Sequence, residues 1–437
     1  MSRRPVIIAL AVFATSPCFA RIITVDDNGP ADFNSIQAAI NDANNGDIIL
    51  VQPGIYTGDG NRDIDFLGKA ITVKSENGPE NCIIDCDATY EDNHRGFYFV
   101  HNEGRDSVLD GLTITNAYVV VGCEGGAGIY IDGASPTINN CIITANMAEL
   151  LPESLCYCYG GAIYIGDGSY PLFTNCIITN NSVGNWGRGG GIYCSGYPAA
   201  SAYIQNCIIS DNIAVGTESM GGGIYCDNMS ELIMSNCTVA DNLASQGGGG
   251  IHFIKYTGSP LRRIRNSIIW SNSPEQIHAN NESYMFVMYS DVSGGWSGTG
   301  NIDADPCFAD AANNDYHLKS ETGRWNPISQ SWVQDSATSP CIDAGNSSLD
   351  WTVELWPHGK RINMGAYGGT PEASMSLSQI GNAADLNNNS QVDYIDLMIF
   401  VDKWLCRQVL LPEDLDRNGA VNFIDFAIFA NNWFWEE

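Results

Sequence analysis

Short tracts of alternating apolar and polar residues recur through the middle of the chain at an interval of about thirty residues. Five of them, among them INNCIITAN and IQNCIISDN, align without adjustment. The asparagines that precede their apolar parts are Asn140, Asn175, Asn206, Asn236 and Asn266. Asn81 extends the series upstream, and Asp110 fills the gap. An internal period of this length is typical of a solenoid or a propeller.

A second block, a glycine run followed by an apolar strand, precedes most of these tracts, as in GGAGIYI, GGGIYC and GGGGIHF. Both blocks are rich in β-branched residues, are bounded by Gly, Asn, Asp and Ser, and have no helical period. A propeller blade of four strands needs a longer unit of about 40 residues. The pattern therefore predicts an all-β fold in which coils of three short parallel strands stack into a parallel β-helix.

Stacked coils lie ~4.8 Å apart, so equivalent residues of successive repeats form columns. Columns of asparagines are expected to hydrogen-bond from one side-chain amide to the next. A second asparagine column is predicted at Asn146, Asn181, Asn212, Asn242 and Asn272. An inward column is predicted at Cys141, Cys176, Cys207 and Cys237, continued by Ser267. The small thiols would pack there as hydrophobes, and a metal-binding or disulfide role stays open as the alternative.

The strand after each glycine run carries an aromatic residue between two inward positions. Alternation along a strand turns these residues outward, and they are Tyr130, Tyr164, Tyr193, Tyr225 and His252. We call these five residues the aromatic stripe. Sugar rings repeat about every 5 Å along a chain, close to the rise of one coil, and tyrosine offers both a ring face and a hydroxyl. The stripe is therefore a candidate polysaccharide track, and a structural aromatic stack covered by loops is the alternative.

Candidate catalytic groups are scarce in the repeats. The outward positions of the asparagine-led strands, such as Ile142 and Thr144, contain neither an acid nor a base, and proton abstraction needs a positioned base. One basic cluster is formed by Lys255, Arg262, Arg263 and Arg265, and acids at Asp132, Asp167 and Asp227 follow the glycine strands. The basic cluster is a candidate lyase base or uronate clamp, with solvated charges as the alternative. The acids are candidate paired catalytic acids, with turn aspartates as the alternative.

Two copies of one acidic loop end the chain, DLNNNSQVDYID at 385–396 and DLDRNGAVNFID at 414–425, and an apolar helix is predicted after each. Twelve-residue calcium loops place oxygen ligands at positions 1, 3, 5, 7, 9 and 12. The residues at these positions are Asp385, Asn387, Asn389, Gln391, Asp393 and Asp396 in the first copy, and Asp414, Asp416, Asn418, Ala420, Asn422 and Asp425 in the second. Gln391 and Ala420 would contribute their main-chain carbonyls. The duplication predicts two Ca²⁺ sites.

These duplicated loops, each followed by one helix and with Asp at position 12, resemble a type I dockerin. The resemblance implies a cohesin-like partner domain, or another surface scaffold, to which a secreted protein is attached. In dockerins a Ser/Thr pair contacts the partner, and the equivalent positions here are occupied by Tyr394–Ile395 and Phe423–Ile424. This departure argues against a standard cohesin partner.

The net charge and the N-terminal residues limit which partners and which location the protein can have. Fifty Asp and Glu against 20 Lys and Arg give a net charge of -30, which argues against a nucleic-acid partner. Residues 1–20 have the n-region, apolar core and small final residue of a secretory signal, which predicts a secreted or cell-surface protein. No later apolar run approaches the ~18 residues that a membrane span needs.

The asparagine columns, the NCII strands and the opening DFNSIQAAINDANNGDIILVQPGIYTG together resemble the right-handed parallel β-helix of the pectin-lyase-like superfamily. The predicted domains are a signal peptide (1–20), a β-helix with an N-terminal cap (21–295), a C-terminal flank (296–372), a linker (373–382) and the dockerin-like module (383–437). Fold alone does not settle activity. The favoured hypothesis is a protein that binds extracellular polysaccharide. A polysaccharide-degrading lyase or glycoside hydrolase is the alternative, and a surface adhesin is the third possibility.

Overall fold

A computed structural model of the chain describes residues 20–121, 125–151, 154, 156–227, 230–254, 262–280 and 285–437. The predicted signal peptide, except Ala20, and Lys255 of the basic cluster lie outside the described residues. The described strands from residue 22 to 292 form four larger parallel sheets, named A to D here, and one two-stranded parallel sheet. The prediction of an all-β parallel β-helix is confirmed.

The first three sheets run the length of the solenoid. Sheet A contains Ile22–Val25, Ile48–Val51, Thr72–Ser75, Val108–Asp110, Thr137–Asn139, Leu172–Thr174, Ser201–Gln205, Glu231–Ser235, Arg262–Arg265 and Met285–Met288. Sheet B contains Gly54–Tyr56, Cys82–Asp85, Thr113–Thr115, Ile142–Thr144, Ile177–Thr179, Ile208–Ser210, Thr238–Ala240, Ile268–Trp270 and Asp291–Val292. Sheet C contains Ile64–Asp65, Phe97–Phe99, Ile129–Ile131, Ile163–Ile165, Ile192–Cys194, Ile224–Cys226, Ile251–Phe253 and Ile277–Ala279.

Smaller elements complete the fold. Sheet D, between sheets B and C in five consecutive coils, contains Tyr118–Val121, Met147–Leu150, Ser182–Val183, Ile213–Ala214 and Leu243–Ala244. Cys158–Tyr159 pairs with Gly187–Arg188 in parallel. Two antiparallel hairpins follow the solenoid, Phe308–Asp310 with Asp315–Leu318 and Arg324–Asn326 with Ser331–Val333. The α-helices are Ile36–Asp42, Tyr394–Asp402 and Phe423–Asn431, and short 3-10 helices lie at Pro79–Asn81 and Ala311–Asn313.

The solenoid core is a stack of identical inward positions. In one coil Ile129 and Ile131 of sheet C, Ile138 of sheet A, and Cys141 and Ile143 of sheet B are all 1 % exposed or less. Successive coils repeat this set in exact vertical register. The core is therefore continuous from the N-terminal helix, whose Ile36 and Ile40 are buried at its end, to the last coil.

The second asparagine column forms the predicted ladder. The side-chain Nδ2 of Asn146 donates to Oδ1 of Asn181 at 3.0 Å, Asn181 donates to Asn212 at 3.0 Å, and the chain of bonds continues through Asn242 and Asn272. The first column forms one such bond, from Asn266 Nδ2 to Asn236 Oδ1 at 3.3 Å, and otherwise behaves differently. Its members adopt positive φ, about 50°, a conformation that asparagine tolerates well. The Nδ2 of Asn206 bonds instead to the carbonyls of Ala366 and Gly368 in the C-terminal flank.

Cysteines of the inward column are free and buried, as predicted for core fillers. Burial raises the pKa of Cys237 to about 12, so this thiol stays protonated and unreactive at neutral pH. Among the described cysteines Cys156 is disulfide-bonded.

The C-terminal flank lies against the outer face of sheet B. Ile208, Ala240 and Ile268, predicted outward positions, are at most 3 % exposed and pack on Tyr316, Ala366 and Met364 of the flank. Residues 373–376 also belong to this layer, because they are buried and Ser374 Oγ donates to the carbonyl of Leu318 at 2.6 Å. The predicted linker at 373–382 is therefore wrong for its first four residues.

Candidate functional site

The aromatic stripe lies on the outer side of sheet C, as predicted from alternation, and it is longer than predicted. Tyr98 precedes Tyr130 in register, and His278 follows His252. The rings of Tyr130 and Tyr164 stack 4.9 Å apart with an interplanar angle of 4°. Those of Tyr225 and His252 stack 5.0 Å apart at 1°. The rings therefore lie across the solenoid axis, each with its faces against its neighbours.

This stacking changes the interpretation of the aromatic stripe. Tyr193, Tyr225 and His252 are 4 %, 3 % and 4 % exposed, and the ring of Tyr159 covers Tyr193 at a centroid distance of 4.3 Å. Burial lowers the pKa of His252 to about 4, so its ring is neutral at physiological pH. A sugar platform needs a free ring face, and between Tyr130 and His252 the faces are occupied. The expectation of an open track is wrong for these three residues, and the geometry favours the structural alternative.

The basic cluster does not form a single cationic site. Arg262 is 1 % exposed and donates to the main-chain carbonyls of Asp227 and Ile254, each at 3.0 Å. Arg263 is exposed and pairs with Glu231 at 3.6 Å. Asp167 accepts from the main-chain N–H of Tyr197 at 2.7 Å. These contacts are structural and are those expected of a buried arginine and of turn aspartates.

The outer face of sheet A is the open side of the solenoid. Seven polar residues follow one another in register on it, one from each of seven consecutive strands, and all are half-buried or exposed. They are Lys74, Asp110, Asn139, Thr174, Gln205, Ser235 and Arg265. We call these seven residues the polar row. Beside it runs a mixed row of Thr72, Val108, Thr137, Leu172, Tyr203, Ile233 and Arg263.

Neighbours in the polar row are close enough to bond to each other. Asn139 Nδ2 donates to Asp110 Oδ1 at 2.8 Å, and Thr174 Oγ1 donates to Asn139 Oδ1 at 2.7 Å. Hydrogen-bonding groups thus recur at the coil rise of ~4.8 Å. The sequence carried a signal for this row, because the residue before each leading asparagine is polar in every repeat. The predicted sugar track on the aromatic stripe did not include this row.

The first acidic loop folds around the side chains of its first and last positions. Asp385 accepts from the main-chain N–H groups of Asn389 and Ser390, and Asp396 accepts from those of Asn387 and Asp393. Asp393 caps the helix Tyr394–Asp402 through the N–H of Ile395 at 2.8 Å. The loop is therefore closed by its own carboxylates and leads directly into the helix.

The second loop repeats the same bonds. Asp414 accepts from Asn418 and Gly419, and Asp425 accepts from Asp416 and Asn422. Carboxylate oxygens of Asp414, Asp416 and Asp425 lie within 4.8 Å of one another. The predicted donor set is entirely oxygen, which suits a hard cation such as Ca²⁺. Position 9 caps the following helix in this copy too, since Asn422 accepts from Ile424 N–H at 2.8 Å.

The helices after the two loops pack together and leave an apolar surface exposed. Phe400 and Phe429 stack in the core between them with ring centroids 5.4 Å apart. Tyr394, Met398 and Phe423 are 66 %, 68 % and 76 % exposed. Single exposed apolar residues are common, but a group of this size on one small module is typical of a contact surface.

Comparison with known proteins places the solenoid. The family model described as "Right handed beta helix region" matches residues 34–292, and one described as "Disaggregatase related" matches residues 269–345. The chain covers 96 % of the pectate lyase Pel9A, with 17 % identity over 80 % of its own length and a TM-score of 0.41. It covers 87 % of the carrot pectin methylesterase, with 14 % identity over 66 % of its own length and a TM-score of 0.37. It covers 94 % of the pectin methylesterase PemA from Erwinia chrysanthemi, with 10 % identity over 66 % of its own length and a TM-score of 0.35.

No curated protein matches the chain. In the described part of the chain no helix combines the length and the apolar character needed to cross a membrane.

Proposed function

The chain belongs to the right-handed beta helix family, and we propose that its solenoid binds an extended extracellular polysaccharide along the outer face of sheet A. The polar row carries this proposal. It is the face on which hydrogen-bonding side chains recur in register, whereas the flank covers sheet B and ring stacking occupies the stripe on sheet C.

The chemistry of the polar row suits a sugar chain. Seven residues at the coil rise of ~4.8 Å extend over roughly 29 Å, and their amides, hydroxyls and charges supply both donors and acceptors. Tyr203 in the adjacent row adds a half-exposed aromatic ring near the centre. Binding through many modest hydrogen bonds needs such a repeating surface rather than one deep pocket.

Affinity electrophoresis of the full chain on a panel of polysaccharides tests this proposal. We expect retention on at least one polymer, and about tenfold weaker retention for the triple variant Tyr203→Ala, Gln205→Ala, Arg265→Ala. Tyr90→Ala is the matched control, because Tyr90 is 47 % exposed and does not lie on sheet A. Equal retention of the triple variant and wild type would place binding elsewhere.

The same panel separates binding from degradation. Release of reducing ends or of unsaturated products by wild type would favour the polysaccharide-degrading alternative, lyase or glycoside hydrolase. Retention without products favours the binding protein. A surface adhesin would bind cells but none of the purified polymers.

For the C-terminal module we propose two Ca²⁺ sites and an attachment role. The ligands would be the twelve positions named from the sequence, and calcium would neutralise carboxylates that the loops bring together, as in the group Asp414, Asp416 and Asp425. Calorimetric titration of Ca²⁺ into the full chain is expected to show two sites. One site is expected to be lost in Asp414→Asn, and the other in Asp385→Asn. A titration unchanged by both variants would contradict the proposal.

The proposed partner is a cohesin-like domain or another surface scaffold that accepts apolar contacts. The support is the exposure of Tyr394, Ile395, Phe423 and Ile424 at the two equivalent helix starts. These residues cannot make the contact that dockerins make through a Ser/Thr pair, because aromatic residues and isoleucines occupy the positions. Secretion or surface attachment is proposed from the signal peptide that the sequence predicts at residues 1–20.

A further inference from the structure

A cleft of about 370 Å³ opens between the last coils and the first flank hairpin. Asp241, Trp270 and Ser271 line it from the solenoid, and Asp305, Phe308 and Lys319 line it from the flank. Its volume falls at the lower end of the range for small-molecule sites. The cleft is separate from the polar row, because its solenoid residues lie at the end of sheet B.

Two carboxylates meet at the solenoid wall. Asp211 and Asp241 occupy the same turn in successive coils, with φ of 55° and 57°. The Tyr316 hydroxyl of the flank donates to Asp241 Oδ2 at 3.2 Å. Partial burial, and then the neighbouring Asp241 carboxylate, raise the pKa of Asp211, and partial desolvation raises the pKa of the more exposed Asp241. The turn and the tyrosine thus hold acceptor groups at the edge of the cleft.

Two hydrogen-bond donors at the cleft have no partner among the described residues. The Trp270 indole N–H forms no hydrogen bond with any described residue, and neither does the Lys319 ammonium. Trp270 is half-buried, so part of its ring faces the opening. A ring surface flanked by both donors and acceptors matches the mixed apolar and hydroxyl surface of a sugar.

We propose that this cleft is a second saccharide site that binds one or two uncharged sugar units. Trp270 stacks on a sugar ring, Asp241 accepts hydroxyl protons, and Lys319 donates to a hydroxyl or ring oxygen. The lining carries two carboxylates, Asp241 and Asp305, against one ammonium, Lys319, and Asp211 lies beside Asp241. A uronate would therefore meet net repulsion. The site thus selects neutral units by charge, independently of binding along sheet A.

Saturation-transfer NMR and calorimetry with the full chain test this site, using cellobiose, maltose and lactose as neutral probes and digalacturonate as the charged one. We expect at least one neutral disaccharide to bind and digalacturonate not to bind. Trp270→Ala and Asp241→Asn should each weaken binding about tenfold or more. Asp241→Asn is the safer variant, because Asp241 is exposed whereas Trp270 also packs on the flank.

Two controls separate this site from other sugar contacts. Trp186→Ala removes a tryptophan that is 37 % exposed in a different loop and should leave disaccharide binding unchanged. The triple variant on sheet A should also leave it unchanged, while loss of polymer retention in that variant concerns only the proposed function. Binding of no neutral disaccharide, preference for digalacturonate, or unchanged binding in Asp241→Asn would each overturn the inference.

Discussion

At the residue scale, Asn212 shows how a repeat fixes a side chain. Its Oδ1 accepts from both the main-chain N–H and the Nδ2 of Asn181, and its own Nδ2 donates to Asn242 Oδ1 and to the carbonyl of Ile178. A buried amide is tolerated because all its groups are bonded. Since each bond joins equivalent positions of successive coils, the sequence period was enough to predict the column.

A buried acid in the flank predicts an unusual dependence of stability on pH. Burial raises the pKa of Glu354 to about 8, although its Oε1 accepts from Asn363 and Gly369 N–H. A raised folded pKa means that the protonated form is favoured in the folded state. Its stabilisation is complete below the ordinary pKa of about 4.5 and is lost as the pH rises through 8.

We therefore expect Glu354→Gln to flatten the fall in melting temperature between pH 5 and pH 8. The amide keeps the Oε1 acceptor but cannot ionise, so it removes a slope of up to about 1.4 kcal/mol per pH unit. Thermal melts across this range measure the effect. Glu321→Gln, at an exposed position, is the control and should follow wild type. Identical slopes for Glu354→Gln and wild type would rule out this carboxyl as the cause.

At the element scale, three similar strands per coil acquire three different outer faces. Alternation predicted which residues point outward, and this is confirmed for Tyr130 of sheet C and Ile208 of sheet B. It could not predict what covers them. Ile208 packs on Ala366, more than 150 residues later in the chain, and no local pattern specifies such a contact. The outward positions of the asparagine-led strands, such as Ile142 and Ile208, carry no acid or base, and the flank packs on this part of sheet B.

The orientation of the rings in the aromatic stripe could not be predicted from the sequence either. A column of tyrosines is compatible with faces turned to solvent or with faces turned to each other, and both give the same spacing. The structure shows interplanar angles of 17° and 16° on the two sides of Tyr193. The stack therefore stabilises the solenoid by packing, which the sequence could offer only as the alternative.

Replacing Tyr193 tests this assignment. Tyr193→Ala removes a ring packed between Tyr164 and Tyr225 and under Tyr159, so the free energy of unfolding should fall by about 3–5 kcal/mol. Polysaccharide retention at a temperature where the variant stays folded should not change. Tyr197→Ala, at an 81 % exposed position, should alter neither quantity. Lost retention in a folded, stable Tyr193→Ala variant would restore the sugar-track interpretation.

At the scale of the whole molecule, the chain divides into a solenoid with its flank and a small C-terminal module. The module has its own core around Phe400 and Phe429, and its duplicated loops were recognisable because their spacing is local. The contacts that join the module to the flank were not recognisable from the sequence. In these contacts Arg417 donates to the carbonyl of Trp356 at 3.1 Å, and Lys360 pairs with Glu437. Such contacts depend on two surfaces that only the folded chain brings together.

These different cores predict a selective response to calcium removal. The solenoid is held by apolar packing and asparagine ladders, whereas the module closes around carboxylates that repel one another without a cation. In scanning calorimetry of the full chain, EDTA should lower the melting temperature of a minor transition and leave the main one in place. At a free Ca²⁺ concentration 1,000 times the Kd, one site contributes about 4.1 kcal/mol.

The paired variant Asp385→Asn, Asp414→Asn should reproduce the effect of EDTA in the presence of Ca²⁺ and should respond no further to the chelator. Because the solenoid contributes most of the β-strands, its circular dichroism signal should persist through the minor transition. A main transition that shifts with EDTA would instead mean that calcium binds to the solenoid. Insensitivity of both transitions would remove calcium from the account of the module, and with it the physical reason for its paired acidic loops.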